Sequence, residues 1–167
     1  MLKIVNGMNQ LKFSELMYVY SEGNRENGAE RYPNLSVDAQ IREAEFDFYN
    51  YLNDVFFRTE GTFYAIWEEN HRYLSALRME PYKDGWLLCA LETVPNERNR
   101  GYASKLISCL FDYLRTFNMK IVYSHVSKDN YASIATHMKC GFQIEKDHAV
   151  YLDGSVLHSC YTMAYHM

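Results

Sequence analysis

The stretch VPNERNRGYAS, Val94 to Ser104, is a polar passage with two arginines, one proline and one glycine. The apolar run WLLCAL (86–91) precedes it and ASKLISCLFDYLR (103–115) follows. In the second segment Ala103, Leu106, Ile107, Leu110, Phe111 and Leu114 recur at helical spacing. The stretch is therefore a turn between a buried strand and an amphipathic helix. A helix start leaves backbone N–H groups without intrahelical partners, and the aligned peptide dipoles favour an anion there. Ser104 and Lys105 fall in the first turn, Gly101 permits positive φ or close approach of a ligand, and Ala103 keeps the next contact small. The competing reading is a plain connection with solvated arginines, since glycine commonly supplies such turns. The spacing is neither G-x-G-x-x-G nor G-x-x-x-x-G-K-[ST], so the dinucleotide and P-loop readings lose support.

Upstream, TFYAIWE (62–68), RYLSALRM (72–79) and WLLCALET (86–93) are joined by connections of hairpin length and predict an antiparallel meander. The third strand is apolar on both parities from Trp86 to Leu91, which predicts the middle of the sheet. Downstream, MKIVYSHV (119–126) completes a strand, helix, strand crossover with parallel strands. A helix from about Asn130 to Lys139 follows, ending at the cap Gly141. FQIEKDHAVYL (142–152) and VLHSCYTMAYHM (156–167), separated by DGS, read as a closing hairpin. At the N-terminus, LKIVN (2–6) reads as a strand, residues 8–20 as a weak helix and GNRENGAERYPN (23–34) as a loop. A stronger helix starts at the candidate cap Ser36, with Asp38 in its first turn and Ile41, Ala44, Phe48, Leu52 and Val55 on one face. The expectation is one domain over 1–167, of mixed α/β (α+β) class. It has a central sheet of about seven strands, a meander followed by a parallel crossover, and helices on both faces.

Composition sets the limits. With 17 basic and 21 acidic side chains the net charge is 17 − 21 = −4, so no nucleic acid or anionic membrane is expected as partner. Fifteen tyrosines and nine phenylalanines predict an aromatic core and cleft wall. The four cysteines are far apart without CxxC spacing and read as buried reduced thiols. The N-terminus lacks a signal-peptide core, and no apolar run approaches the roughly 20 residues of a membrane span, so the expected location is cytoplasmic. His125, His148, His158 and His166 share no ligand spacing, and no metal site is expected.

TVPNERNRGYASKLISCLFDYLR (93–115) resembles the acetyl-CoA-binding signature of the GNAT superfamily of N-acetyltransferases, V-x-P-x-x-[RQ]-x-x-G-x-[GA] leading into a helix. Arg98, Gly101 and Ala103 occupy its defining positions, and Thr93 stands where Val is usual. NYASIATHMKCGF (130–142) partly matches a second motif, N-x-x-A-x-x-L-Y-x-x-x-G-F, with Asn130, Gly141 and Phe142 in place and Ser133 standing for Ala. The resemblance covers about residues 60–145.

The resemblance implies a GNAT fold and transfer of an acetyl group from acetyl-CoA to a primary amine of a small molecule, peptide or protein, by direct attack through a tetrahedral intermediate. It implies that the strands at 86–93 and 119–126 splay, that Leu91 to Thr93 bind the pantetheine arm through their backbone, and that Arg98, Asn99, Arg100, Gly101, Tyr102, Ala103 and Ser104 hold the diphosphate. Asn130 and Ser133 join the cofactor-binding set. The amide of Leu91 becomes an oxyanion donor. Glu92, between Leu91 and Thr93, is the candidate base or else a solvent-facing strand end, with Glu80 and Asp84 as alternatives.

At the position that usually carries the tyrosine acid stands His137, seven residues after Asn130. It reads either as a proton donor or as a neutral packing residue, with Tyr131, Tyr102 or solvent supplying the proton. That substitution keeps open a non-catalytic acyl-CoA-binding or sensing module, and a purely structural domain stands as a third possibility. Cys140 beside the Gly141 cap could carry an acyl group, but direct transfer is what the resemblance implies. The aromatic segment FDFYNYLNDVFF (46–57) and RYPNLS (31–36) either wall the acceptor side or pack the core. Monomer and homodimer both remain open, and an edge position of the last strand would favour the dimer.

Overall fold

The computed structural model describes residues 1–167. Its strands are β1 (Leu2–Val5), β2 (Phe63–Glu69), β3 (Arg72–Tyr82), β4 (Gly85–Thr93), β5 (Ile121–Ser127), β6 (Gln143–Lys146), β7 (Ala149–Val150), β8 (Val156–Leu157) and β9 (Cys160–His166). Its helices are α1 (Phe13–Val19), α2 (Ser21–Arg31), α3 (Val37–Asp54), α4 (Tyr102–Arg115) and α5 (Tyr131–Lys139). Seven strands form one mixed sheet in the order β1-β2-β3-β4-β5-β9-β6, while β7 and β8 form a separate ribbon. β1 to β4 pair antiparallel, β4 and β5 pair parallel, and β9 runs antiparallel to β5 and β6. The mixed α/β class, the meander, the central β4 and the crossover through α4 are all present.

The apolar pattern explains the layers. On one face Leu106, Ile107, Leu110, Phe111 and Leu114 of α4 bury against Leu77, Met79, Leu88 and Val122 of the sheet. On the other, Leu16 and Val19 of α1 and Leu52 of α3 meet Tyr64, Ile66 and Ala76. Burying each such aliphatic chain contributes about 1.5–3 kcal/mol.

Five expectations are corrected. Residues 23–34 are mostly helical, because α2 runs to Arg31. This helix carries no apolar stripe and buries only Asn24 and Gly28. A Cβ on Gly28 would stand 2.5 Å from the Gln40 carbonyl oxygen, so the glycine lets α2 lie directly against α3. The closing hairpin is split: β6 pairs with β9, and the intervening chain folds into the β7–β8 ribbon. The C-terminal strand is not an edge, since β5 and β6 flank it on either side, which removes the argument for strand pairing across a dimer. The cysteines are unpaired but half-buried rather than buried. Ser36 stands at the N-cap of α3 without making a side-chain capping bond. No helix is long and apolar enough to cross a membrane.

Candidate active site

The pairing of β4 with β5 is confined to Trp86–Leu88 against Val122–Ser124. Beyond Leu88 the strands diverge. There β4 carries a bulge, because Ala76 pairs with Glu92 while Arg78 pairs with Cys89, and Ala90 takes φ +50. Non-glycine residues rarely adopt this left-handed conformation. The Ala90 carbonyl accepts a hydrogen bond from Tyr20 Oη at 2.7 Å, which ties the bulge to the junction of α1 and α2. Past the bulge, Val94 N–H donates to the Leu74 carbonyl at 3.0 Å. By alternation from Val94 the amide of Thr93 points away from β3, toward the gap, while the Leu91 amide, in the same trans peptide as the Ala90 carbonyl, points away from Tyr20.

A groove of about 550 Å³ opens from this gap. Leu91, Glu92 and Thr93 form one wall, the 97–104 turn a second, and Asn130, Ser133 and Thr136 of the α5 region a third. Most of the sequence-predicted cofactor residues thus come together: Leu91, Thr93, Arg98, Asn99, Gly101, Tyr102, Ala103, Ser104, Asn130 and Ser133 all line it. Arg100 does not, and pairs with Glu97 at 2.7 Å instead.

The amides of Asn99 through Ser104 have no hydrogen-bond acceptor within the protein. Gly101 caps α4 with φ +81 and offers no side-chain capping bond, and Asn99 has φ +62. Alternation of left-handed and ordinary conformations turns successive N–H groups inward, which is the geometry of an anion nest. A Cβ on Gly101 would meet nothing within 4 Å, so glycine is demanded by φ rather than by crowding. The arginines do not point at this nest as free cations. Arg98 Nη2 lies 2.6 Å from Glu22 and 3.6 Å from Glu92, and its Nε donates to the Thr93 carbonyl at 3.3 Å. Lys139, which the sequence reading did not single out, also lines the groove. Asn130 caps α5, its Oδ1 accepting from Ser133 N–H at 3.0 Å.

Glu92 sits half-exposed at the groove, on the sheet face toward α2. Burial pushes its carboxyl up from the ordinary range against the opposing Arg98, with Glu22 and Glu26 adding to the rise. The alternatives lie elsewhere: Asp84 accepts from Tyr123 Oη at 3.0 Å and Glu80 stands 3.8 Å from Arg78. His137 is 1% exposed and does not line the groove. Its Nδ1 is 2.8 Å from the Ser133 carbonyl, its ring is 4.9 Å from that of Phe142, and Nε2 is buried without a partner. Burial depresses its pKa, opposed by the Ser133 hydrogen bond. Tyr131 is 76% exposed, and Tyr102 Oη donates to Glu69 at 3.4 Å. No three His, Cys, Asp or Glu side chains converge as metal ligands would.

A second hollow of about 390 Å³ lies on the opposite face of β4, between α2 and α3, lined by Tyr20, Phe48, Tyr51, Arg78 and Ala90 among others. Ala90 faces one hollow and Leu91 the other, so the bulge is the partition between them. In the aromatic segment 46–57, Phe48 and Tyr51 wall this hollow, while Leu52 and Phe56 are buried in the core.

No curated protein matches the chain. Among solved structures it is similar to the PaiA N-acetyltransferase from Thermoplasma acidophilum in complex with coenzyme A, at TM-score 0.67 and 14% identity, covering 100% of this chain and 99% of that one. The ribosomal-protein-S18-alanine N-acetyltransferase from Escherichia coli gives TM-score 0.62 at 16% identity, covering 99% and 94%. The spermidine N-acetyltransferase from Vibrio cholerae in complex with CoA and spermine gives 0.62 at 19% identity, covering 99% and 95%. At such identities the likeness is one of fold. The profile of the acetyltransferase (GNAT) family matches residues 25–142, well over half of the chain. The chain belongs to the acetyltransferase (GNAT) family.

Proposed function

We propose that the protein transfers the acetyl group of acetyl-CoA to a primary amine, with the coenzyme in the groove and the amine entering from the second hollow. The observation that carries this reading is the run of six unpartnered amides from Asn99 to Ser104 at the start of α4. Such a run suits a diphosphate, which accepts several N–H bonds at once. When bound, the coenzyme supplies the activated acyl carbon. The chain supplies the rest. Leu91 and Thr93 amides offer strand-like donors to the pantetheine arm, Asn130 and Ser133 close the far wall, and Arg98 holds the turn through Thr93 and Glu22 rather than by touching phosphate.

The Leu91 N–H stabilises negative charge on the acyl oxygen as the amine attacks. Glu92 accepts a proton from the amine, a role suited to a carboxyl already pushed upward. The N–C bond forms, the C–S bond breaks, and the thiolate takes its proton from solvent entering the open groove. His137, enclosed and neutral, is assigned to packing.

Calorimetric titration with CoA, followed by thiol release from acetyl-CoA across an amine panel, tests the proposal. Binding with release is expected. Binding without release on every amine would favour the sensing module, and no binding would remove the coenzyme reading. Gly101→Val, which strains the left-handed cap, should weaken CoA binding by about tenfold or more through the loss of aligned donors.

A further inference from the structure

The second hollow contains a cation that no anion meets within hydrogen-bonding distance. Arg78 projects from β3 on the face opposite α4, and its side chain is only 19% exposed. Its guanidinium stands over the rings of Tyr51 at 5.3 Å and Phe56 at 5.7 Å. Its buried Nε has no hydrogen-bond partner, and the nearest carboxylate oxygen, on Glu80, is 3.8 Å away, beyond hydrogen-bonding distance. The other charges lining the hollow cancel, because Asp47 pairs with Arg31 at 2.8 Å and accepts from Tyr32 Oη. Removing a guanidinium from water is costly unless an anion meets it, and aromatic faces offset only part of that cost.

The same sheet face becomes acidic one alternate position further on. Glu92 pairs across from Ala76, about 7 Å along β3 from Arg78, and Glu22 and Glu26 of α2 add their charge around it. The acceptor side is therefore dipolar: Glu92, which lines the coenzyme groove beside the bulge, is its anionic end, and Arg78, inside the second hollow among aromatic rings, is its cationic end.

We propose that Arg78 is the anchor for a carboxylate on the acceptor, so that the acceptor is an amino carboxylate rather than a polyamine or other purely cationic amine. The planar guanidinium presents paired donors that match a carboxylate, and the acceptor ammonium is drawn to Glu92, where it loses its proton. This rests on the reading of the groove as the coenzyme seat and of the second hollow as the acceptor side.

The test titrates the full-length protein, with and without CoA, against L-amino acids, ω-amino carboxylates, their carboxamides, and spermine. The expected result is that at least one amino carboxylate binds, and that its carboxamide and spermine bind about tenfold more weakly or worse, as loss of a charged hydrogen-bond pair requires. Arg78→Gln should abolish that discrimination while leaving CoA affinity unchanged. Arg78→Lys, which keeps the charge without the fork, should retain part of it. Carboxamides or spermine binding as well as the carboxylates, discrimination surviving in Arg78→Gln, or no carboxylate binding at all would overturn the proposal. The carboxylate and carboxamide comparison needs no variant, so it holds even where a substitution impairs folding. Failure of CoA itself to bind is a separate outcome: it removes the coenzyme reading, and the titrations without CoA still decide whether Arg78 selects carboxylates.

Discussion

Tyr20 Oη donates a 2.7 Å hydrogen bond to the carbonyl oxygen of Ala90, the residue with φ +50 at the β4 bulge. One hydroxyl thus joins the α1–α2 junction to the point where the two hollows meet. Tyr20 is itself buried, and its ring lies edge-on to those of Phe48 and Tyr64.

Tyr20→Phe keeps that packing and removes the bond. Losing a single hydrogen bond costs about 1 kcal/mol, so thermal melts should show Tm lower by about 2–4 °C. CoA affinity by calorimetry should stay within about threefold, because the donors proposed for the diphosphate lie in the 99–104 turn. Turnover should fall by about tenfold or more as the bulge shifts. Unchanged turnover would separate the bulge from catalysis.

Ala90→Gly tests the strain at the same position. A left-handed non-glycine residue costs roughly 1 kcal/mol, and glycine relieves it at some expense in unfolded-state entropy. A small gain in Tm is expected. A loss of stability would mean that the Ala90 conformation is not strained in the folded protein.

The pH dependence of Glu92 follows from the direction of its shift. Burial raises the folded-state pKa above the unfolded value of about 4.3. The neutral form is therefore favoured by folding, and its contribution is fully present below about pH 4.3 and lost as pH rises through the folded pKa. Glu92→Gln should match the parent in acid and be at least as stable at pH 7 by chemical denaturation. If Glu92 is the base, the variant should lose about 100-fold or more in turnover and the acid limb of the pH–rate profile should flatten. A retained acid limb would exclude Glu92 as the titrating group.

His137 titrates in the opposite sense. Burial lowers its folded pKa below the unfolded value of about 6.5, so the unfolded chain binds the proton more readily and stability is lost as pH falls below that value. His137→Phe should therefore lose less stability between pH 7 and pH 5 than the parent. Turnover should change by less than about threefold; a tenfold fall with an altered pH profile would reinstate His137 as the acid, since general acids contribute about 100-fold or more.

Removing one carboxylate should matter less. Glu68 lies 2.9 Å from Lys12 Nζ and 3.8 Å from Lys3 Nζ, and the hydrogen bond from Lys12 holds its carboxyl below the ordinary range. Its contribution is present above the unfolded pKa and lost as pH falls through the lowered folded one. Glu68→Gln should cost about 0.5–1 kcal/mol at pH 7, a difference that denaturant titrations at pH 3 should show shrinking.

The sequence alone determined the sheet, the crossover and the turn that opens α4. Period-two and period-3.6 patterns report which faces must leave water, and Gly101 before an amphipathic helix marks a start whose amides lack partners. It also named most of the groove's lining, because those residues sit in one continuous turn and one helix start. It was silent on α2, which is held by the contact of Gly28 with Gln40 rather than by an apolar stripe, and on the divided C-terminal hairpin, whose pairing is set by distant strands. Only the tertiary structure decided that Arg98 turns to Glu22, that His137 is sealed inside α5, that Ala90 bulges under Tyr20, and that Arg78 faces a hollow without a bonded anion. Each of these depends on which side chains from remote segments arrive at the same place, and local periodicity carries no record of that.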